Sequence, residues 1–167
     1  MVTVDKCLFV NRAPFKENLE ISFQDGVNVL CGIIGRGKTT ILSYIVDAIY
    51  EMAKLNYQES FEGKENKYYR ISSGSHLIDS SKPGVVYIRF KVEDKTIDYI
   101  DVRGDLSEAD YSEYVKYNGK IGYQMIKDRM GNRDNVKMFS CNDSEPALKE
   151  VFLRNVVEHR DSTCFTN

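Results

Sequence analysis

The sequence predicts an α/β fold, in which a chain of 167 residues combines a mixed β-sheet with flanking helices. Three features predict it: alternating apolar residues near the N-terminus, an apolar run that enters a glycine-rich loop and an amphipathic segment (Val27–Glu51), and two β-rich runs around Glu93–Lys95. With 42% hydrophobic residues, a chain of this length can bury its own core. We therefore expect a single domain over residues 1–167.

Composition narrows the class of protein. The net charge is only −2, so the overall balance does not point to a polyanionic partner. No run approaches the ~18 apolar residues that a membrane span requires, and the N-terminus lacks a signal-peptide pattern. The four cysteines are scattered without C-x-x-C spacing and with only two histidines as co-ligands, which predicts reduced thiols in a cytoplasmic protein rather than a zinc site.

Alternation predicts two N-terminal strands joined by the proline-containing connection "NRAPFKEN". The alternating positions are Val2, Val4, Leu8 and Val10, and then Leu19, Ile21 and Phe23. Asp25-Gly26 signals a turn, and the nearly continuous apolar run Val27–Cys31 predicts a strand covered on both faces. From Thr39 onward, apolar residues recur at three- and four-residue intervals, which predicts a helix of about four turns. The glycine-rich loop is thus expected between a buried strand and a helix.

The second half of the chain predicts smaller elements. Residues 54–84 are polar and lack a period, so we expect an irregular surface excursion with a short strand at "KYYRIS". The runs "VVYIRFKV" and "TIDYIDVRG" predict an antiparallel hairpin. Ser107 and Asp110 have capping-box spacing for a helix that stops at Asn118-Gly119. A second short helix in "KIGYQMIKDRMG", a strand at "VKMFS" and a C-terminal helix at about 144–159 complete the prediction.

The glycine-rich loop matches the phosphate-binding pattern G-x-x-x-x-G-K-[ST]. Its residues are Gly32, Ile33, Ile34, Gly35, Arg36, Gly37, Lys38 and Thr39, followed by Thr40. Glycines permit the φ values that turn backbone N–H groups inward, and the following helix adds its positive end. Lys38 can reach β- and γ-phosphates, the Thr39 hydroxyl can ligate Mg²⁺, and Thr40 is placed towards the α-phosphate. The pattern therefore predicts binding of a nucleotide with Mg²⁺.

The first 55 residues resemble ABC-type ATPases of the RecF and SMC class. The resemblance rests on "FVNRAPF", "LEISF" and "VNVLCGIIGRGKTTILSYIVDAI", and it extends to "ENKYYRISS", the hairpin and "NDSEPALKEVF" as in large bacterial AAA-family ATPases. It implies a P-loop NTPase lobe of an ABC-type ATPase, ATP as the ligand, and Arg12 close to the nucleotide. It also implies a homodimer or a remaining lobe as partner, and DNA as a possible partner. Ile34 and Arg36 depart from the usual Asn and small residue.

Hydrolysis in that class requires groups that the sequence does not show. We find no Asp-Glu pair after an apolar strand, and the closest match to a signature loop is "ISSGSH" at residues 71–76, which a Ser/Gly turn explains better. Gln124 is the one candidate for the glutamine that contacts nucleotide. We therefore expect one lobe, a fragment of a larger ATPase, in which Lys38 is the catalytic residue present and hydrolysis is weak.

Three other classes of protein remain open. A small GTPase would use the D-x-x-G match Asp101–Gly104 to sense the γ-phosphate, but no N-K-x-D is present and two strands precede the P-loop instead of one. A small-molecule kinase would need an Arg-rich lid and further parallel strands, which the sequence does not show. A non-catalytic binding module with a vestigial P-loop is the remaining alternative.

Overall fold

The computed structural model describes residues 2–56, 77–116 and 120–140, together with Glu150 and Arg154. Its three continuous ranges hold five strands and three helices. In chain order these are β1 (Val2–Val10), β2 (Leu19–Ser22), α1 (Lys38–Asn56), β3 (Gly84–Val92), β4 (Lys95–Arg103), α2 (Glu108–Tyr114), α3 (Tyr123–Met130) and β5 (Asn135–Phe139).

The strands form one sheet in the order β2-β1-β3-β4-β5, and every neighbouring pair is antiparallel. This confirms the two N-terminal strands and the hairpin. The β3–β4 hairpin closes through Glu93 and Asp94, and the positive φ of Glu93 (58°) is typical of such a two-residue turn. The predicted mixed sheet is not seen in the described residues, because the pairing there is entirely antiparallel.

Helices cover both faces of this sheet. Alternate residues of β3 divide between two cores: Ile88 and Phe90 pack with α1, whereas Val85 and Tyr87 pack with α2 and α3. Side chains of successive strand residues point to opposite faces, so a strand covered on both sides is apolar almost throughout. The hairpin therefore forms the centre of the fold, and α1 is fixed on one face of it.

A bulge in β1 changes which N-terminal residues share a face. The register with β3 shifts between Val4 and Lys6, so one residue is added to β1 there. Val2 and Val4 consequently pack on the α1 side, while Leu8 and Val10 pack on the other side. Simple alternation predicts all four on one face, and that prediction is wrong because one inserted residue exchanges the two faces.

The predicted strand at Val27–Cys31 is not formed. These residues have no strand pairing, and Val27 and Val29 are 94% and 74% exposed, although Leu30 is partly buried against the α1 core. The side chain of Asn28 instead donates to the Gln24 carbonyl at 2.7 Å and closes a turn. A strand needs backbone partners beside it, and none of the described strands pairs with this run.

The small helices are close to their predicted positions. Ser107 and Asp110 form the predicted capping box of α2, but α2 ends at Tyr114, before the expected stop at Asn118-Gly119. Helix α3 and strand β5 confirm the next two predicted elements. The first helix, α1, has 19 residues and is longer than the four turns predicted.

Some predictions fall largely outside the described residues. Residues 57–76 are not described, and they include "KYYRIS" and all of "ISSGSH"; of the predicted excursion 54–84, the first three residues belong to α1 and the last begins β3. The predicted C-terminal helix at about 144–159 is described only at Glu150 and Arg154. These two residues are helical and pair at 2.9 Å.

Candidate phosphate-binding site

The candidate site is the loop that leads into α1. Gly35 and Gly37 have φ values of 82° and 87°, which are in the left-handed region that glycine adopts without strain. Gly32 also has a positive φ. The loop therefore has the backbone conformation for which the motif requires glycine, although the strand expected before it is not formed.

The side chain of Lys38 is held over the loop by two carbonyl groups of the loop backbone. Its Nζ donates to the carbonyl of Gly32 at 2.7 Å and to that of Ile33 at 2.9 Å. An ammonium group has three N–H donors, so these two bonds leave one donor for an anion. The lysine charge is thus positioned at the mouth of the loop.

Helix α1 supplies a second source of positive potential. It begins at Lys38, and its first backbone bond runs from the Ile41 N–H to the Gly37 carbonyl at 2.9 Å. The preceding N–H groups have no acceptor within the helix, and no acidic residue lies in the first turn. Thr39 and Thr40, the predicted Mg²⁺ ligand and α-phosphate donor, belong to this turn, and Thr39 is exposed.

The interior of the loop is open to solvent. Ile33, Ile34 and Arg36 are all exposed, and Ile34 is 99% exposed. The Cβ position of Gly35 has no neighbour within 4 Å. These side chains leave the backbone donors of the loop accessible, so the unusual residues at positions 34 and 36 do not close the site.

The far end of the loop rests on the connection after β1. A Cβ atom on Gly37 would overlap the ring of Phe15 and would lie 3.0 Å from Cγ of Pro14. Phe15 is buried and its ring centroid lies 5.0 Å from that of Phe9 in β1. Glycine is therefore needed at position 37 for two reasons: the positive φ and the lack of space for a side chain. Through Phe15, this end of the loop packs against β1 of the sheet.

Arg12 lies in the same connection, but its side chain is turned into the protein. The residue is 0% exposed, and its Nη2 donates to Oδ1 of Asp101 at 3.0 Å and to the Asp101 carbonyl at 3.3 Å. A direct contact with a nucleotide would require this buried ion pair to open. The contact stays a prediction, and the structure places the guanidinium elsewhere.

Asp101 is not available to a ligand in this structure. It is 0% exposed and lies within β4, where it pairs with Arg12. This position argues against the D-x-x-G hypothesis, in which the same aspartate must reach Mg²⁺, and against Asp101 as a catalytic carboxylate. Gln124 is also remote in the fold: α3 covers the opposite face of the sheet from α1, and the Gln124 amide donates to Asp128 at 2.7 Å.

The sequence did not reveal the residues that hold the connection. Asn11 has a φ of 50°, and its amide donates to the carbonyls of Asp79 and Lys82 at 2.8 and 2.9 Å. Its Oδ1 accepts from the Asp79 N–H at 2.8 Å. The side chain of Asn11 thus ties the end of β1 to residues about seventy positions away. An Asn after a strand indicates a turn, but not such a distant partner.

A second buried carboxylate, Asp98, is paired within the fold. Asp98 accepts from Nε of Arg89 at 2.7 Å and from the Lys120 N–H at 3.0 Å, and this pairing raises the pKa of the Arg89 guanidinium. Burial raises the pKa of the Cys7 thiol to about 12. Within the described ranges, no cluster of metal-ligating side chains is found, and no helix is long and apolar enough to cross a membrane.

A comparison with known protein families shows a match. A family model described as an AAA domain matches residues 10–159, which is most of the chain. No curated protein and no solved structure matches it. The matched range begins at the last residue of β1 and includes the connection, the glycine-rich loop, α1 and the hairpin.

Proposed function

The chain belongs to the AAA-domain family of P-loop ATPases found in RecF/SMC-like proteins, and from that premise we propose that it binds Mg-ATP through the loop Gly32–Thr40. The observation that carries the proposal is the placement of Lys38, whose ammonium is held by two loop carbonyls at the N-terminus of α1. Charge, helix dipole and backbone donors then converge on one point, as a phosphate requires.

The individual roles follow from this arrangement. Lys38 contacts the β- and γ-phosphates through its remaining donor, and the backbone from Ile33 to Gly37 surrounds the β-phosphate. The Thr39 hydroxyl would hold Mg²⁺, which would neutralise part of the phosphate charge. Thr40 donates towards the α-phosphate. Arg36 lies within the loop, where it can adjust nucleotide affinity.

Calorimetric titration with Mg-ATP tests the proposal. Lys38→Ala should weaken binding about 10- to 150-fold, which corresponds to about 1.5–3 kcal/mol for a charge-assisted contact. Lys16→Ala removes an exposed lysine of the connection and is the matched control, with affinity expected to stay near that of the wild type. Equal binding by wild type and Lys38→Ala would overturn the proposal and would favour a module with a vestigial P-loop.

Base selectivity separates this proposal from the GTPase hypothesis. The sequence carries no N-K-x-D motif, and Asp101 is buried in β4. We therefore expect ATP to compete at least as well as GTP. A preference for GTP of more than about tenfold, equivalent to about 1.4 kcal/mol, would favour the GTPase-like switch instead.

We further propose that the chain acts as the N-terminal lobe of a larger RecF/SMC-like ATPase and hydrolyses ATP poorly alone. Lys38 and Mg²⁺ supply only part of the stabilisation that phosphoryl transfer needs. The exposed apolar side chains of Val27, Val29 and Ile34 support this, because such a surface is typical of one that another part of an assembly covers. The covering part is the remaining lobe or a second copy.

Phosphate release measured over a range of protein concentrations tests this second proposal. We expect turnover far below the median enzyme rate of about 10 per second. Robust hydrolysis that Lys38→Ala abolishes would show a complete catalytic unit, whereas activity that rises steeply with concentration would indicate a site shared between two copies. DNA as a partner rests on the family alone, whereas the cytoplasmic location rests on the scattered cysteines.

A further inference from the structure

We propose that Arg12 is a positioning residue, which acts on the phosphate-binding loop through its ion pair with Asp101 rather than by touching the nucleotide. This inference rests on the proposed function, since it concerns the same loop. It starts from the observation that the connection after β1 is held at one end by buried polar groups and at the other end contacts Gly37.

The first link is the ion pair itself. Nη2 of Arg12 lies 3.0 Å from Oδ1 of Asp101, and both side chains are 0% exposed. The same nitrogen donates to the Gly84 carbonyl at 3.5 Å. Gly84 has no room for a side chain, because a Cβ atom there would overlap Leu77 and would lie 3.1 Å from Nε of Arg12. The guanidinium is therefore enclosed by the first residue of β3 and by β4.

The second link is a turn. The Phe15 N–H donates to the Arg12 carbonyl at 3.0 Å, so the backbone position of Arg12 sets the position of Phe15. Asn11, the residue before Arg12, is itself held by hydrogen bonds from its side chain to the backbone carbonyls of Asp79 and Lys82. The turn is thus held by the side chains of both Asn11 and Arg12. Phe15 therefore has little freedom to move independently of them.

The third link is the packing of Pro14 and Phe15 on Gly37. The space beside the Gly37 Cα is filled by these two rings, and the next residue is Lys38. Since the Gly37 carbonyl also accepts the first backbone bond of α1 at 2.9 Å, a shift of the rings moves both the loop end and the helix start. Asp101, Arg12, Phe15 and Gly37 therefore form a continuous series of contacts between β4 and the site.

A double-mutant cycle separates positioning from direct contact. We expect Arg12→Met and Asp101→Leu each to weaken Mg-ATP binding about tenfold, a loss that corresponds to about 1.4 kcal/mol. The double variant, in which no charge is left buried and unpaired, should recover to within about threefold of wild type. If Arg12 touched the nucleotide, Asp101→Leu would retain affinity and the double variant would be as weak as Arg12→Met, and either result would overturn the proposal.

Hydrogen exchange of residues 32–40, measured without nucleotide, distinguishes positioning of the loop from a general loss of stability. A general loss of stability would not raise exchange in the loop alone. The single variants should exchange faster in the loop than wild type while the amides of β3 stay protected. Phe15→Leu, which keeps the ion pair but reduces the ring, should give the same loop-specific effect if either single variant fails to fold. Exchange that rises equally in loop and sheet, or in neither, would contradict the proposal.

The two proposals can fail separately. Wild-type protein that shows no heat of binding with Mg-ATP would reject the nucleotide site, while the loop-specific exchange would still show that the ion pair positions the loop. Wild-type binding that both single variants retain would reject the positioning role and leave the nucleotide site intact.

Discussion

Two apolar runs of similar composition have opposite surroundings in this protein. Strand β3 (Gly84–Val92) is buried along almost its whole length, whereas Val27–Cys31 is exposed apart from Leu30. The partner strand of β3 follows after two residues, and helices cover both of its faces. The run Val27–Cys31 pairs with none of the described strands. Apolar composition therefore favours burial, but the neighbouring strands and helices decide whether a given run is buried.

The phosphate-binding loop combines both kinds of surroundings. Gly37, the residue before α1, is packed on Phe15 and Pro14, but Ile33 and Ile34 lie in solvent. One half of the loop is therefore fixed by the sheet and the helix. The other half, at Gly35, has no neighbour at its Cβ position.

Cysteine reactivity should give the largest contrast between the regions. Cys7 is buried in β1 beside Ile88 of β3, while Cys31 is exposed at the end of the apolar run Val27–Cys31. A folded domain is stable by about 5–15 kcal/mol, so alkylation of Cys7 in the native protein should be at least about a thousandfold slower than that of Cys31. The measurement is mass spectrometry of iodoacetamide labelling in a Cys141→Ser, Cys164→Ser background. The rates should converge in denaturant, and equal rates without denaturant would contradict the contrast.

Truncation of an apolar side chain to alanine should lower the free energy of unfolding much more in β3 than in Val27–Cys31. Phe90→Ala removes a fully buried ring of β3, and such changes cost about 3–5 kcal/mol. Val29→Ala removes an exposed group and should change the free energy of unfolding by less than about 0.5 kcal/mol. Denaturant unfolding of the purified chain measures both. A loss above about 1 kcal/mol for Val29→Ala would show that the run is covered in the isolated protein.

Two glycine substitutions compare the packed and open halves of the loop. Both glycines have positive φ, so both variants suffer backbone strain. Only Gly37→Ala also meets Phe15 and Pro14, and it should therefore cost about 1–3 kcal/mol more in unfolding free energy than Gly35→Ala. Thermal unfolding followed by circular dichroism checks the difference. Equal effects would mean that the loop end is not fixed against the connection.

Alkaline pH should produce the smallest effect. The folded state raises the pKa of Cys7 from 9.0 to about 12, so it retains a proton that the unfolded thiol releases. Stability from this group is complete below pH 9.0 and falls by about 1.4 kcal/mol per pH unit above it, until the folded pKa is reached. Cys7→Ala should lose stability less steeply than wild type between pH 9 and 10. Val10→Ala, which truncates a buried residue that does not titrate, should keep the wild-type slope.

Much of the fold follows from local patterns. The hairpin, the capping box at Ser107 and the helix after the loop are each specified by residues that are close together in the sequence, and the structure confirms them. The glycine positions of the loop were predicted in the same way. The faces of β1 could not be predicted, because the added residue between Val4 and Lys6 exchanges them and alternation alone gives no sign of it.

What the sequence determined by itself is the loop: the glycines that permit its conformation, the lysine at its end and the helix that follows all lie within one short segment. Tertiary structure alone decided where Arg12 and Asp101 meet, since they are 89 positions apart and come together only after β1 and β4 join β3. The fold likewise leaves Val27–Cys31 exposed apart from Leu30, because none of the described strands pairs with this run. Local sequence sets backbone preference and side-chain chemistry, but the partner of a buried charge or an apolar run is a property of strand order.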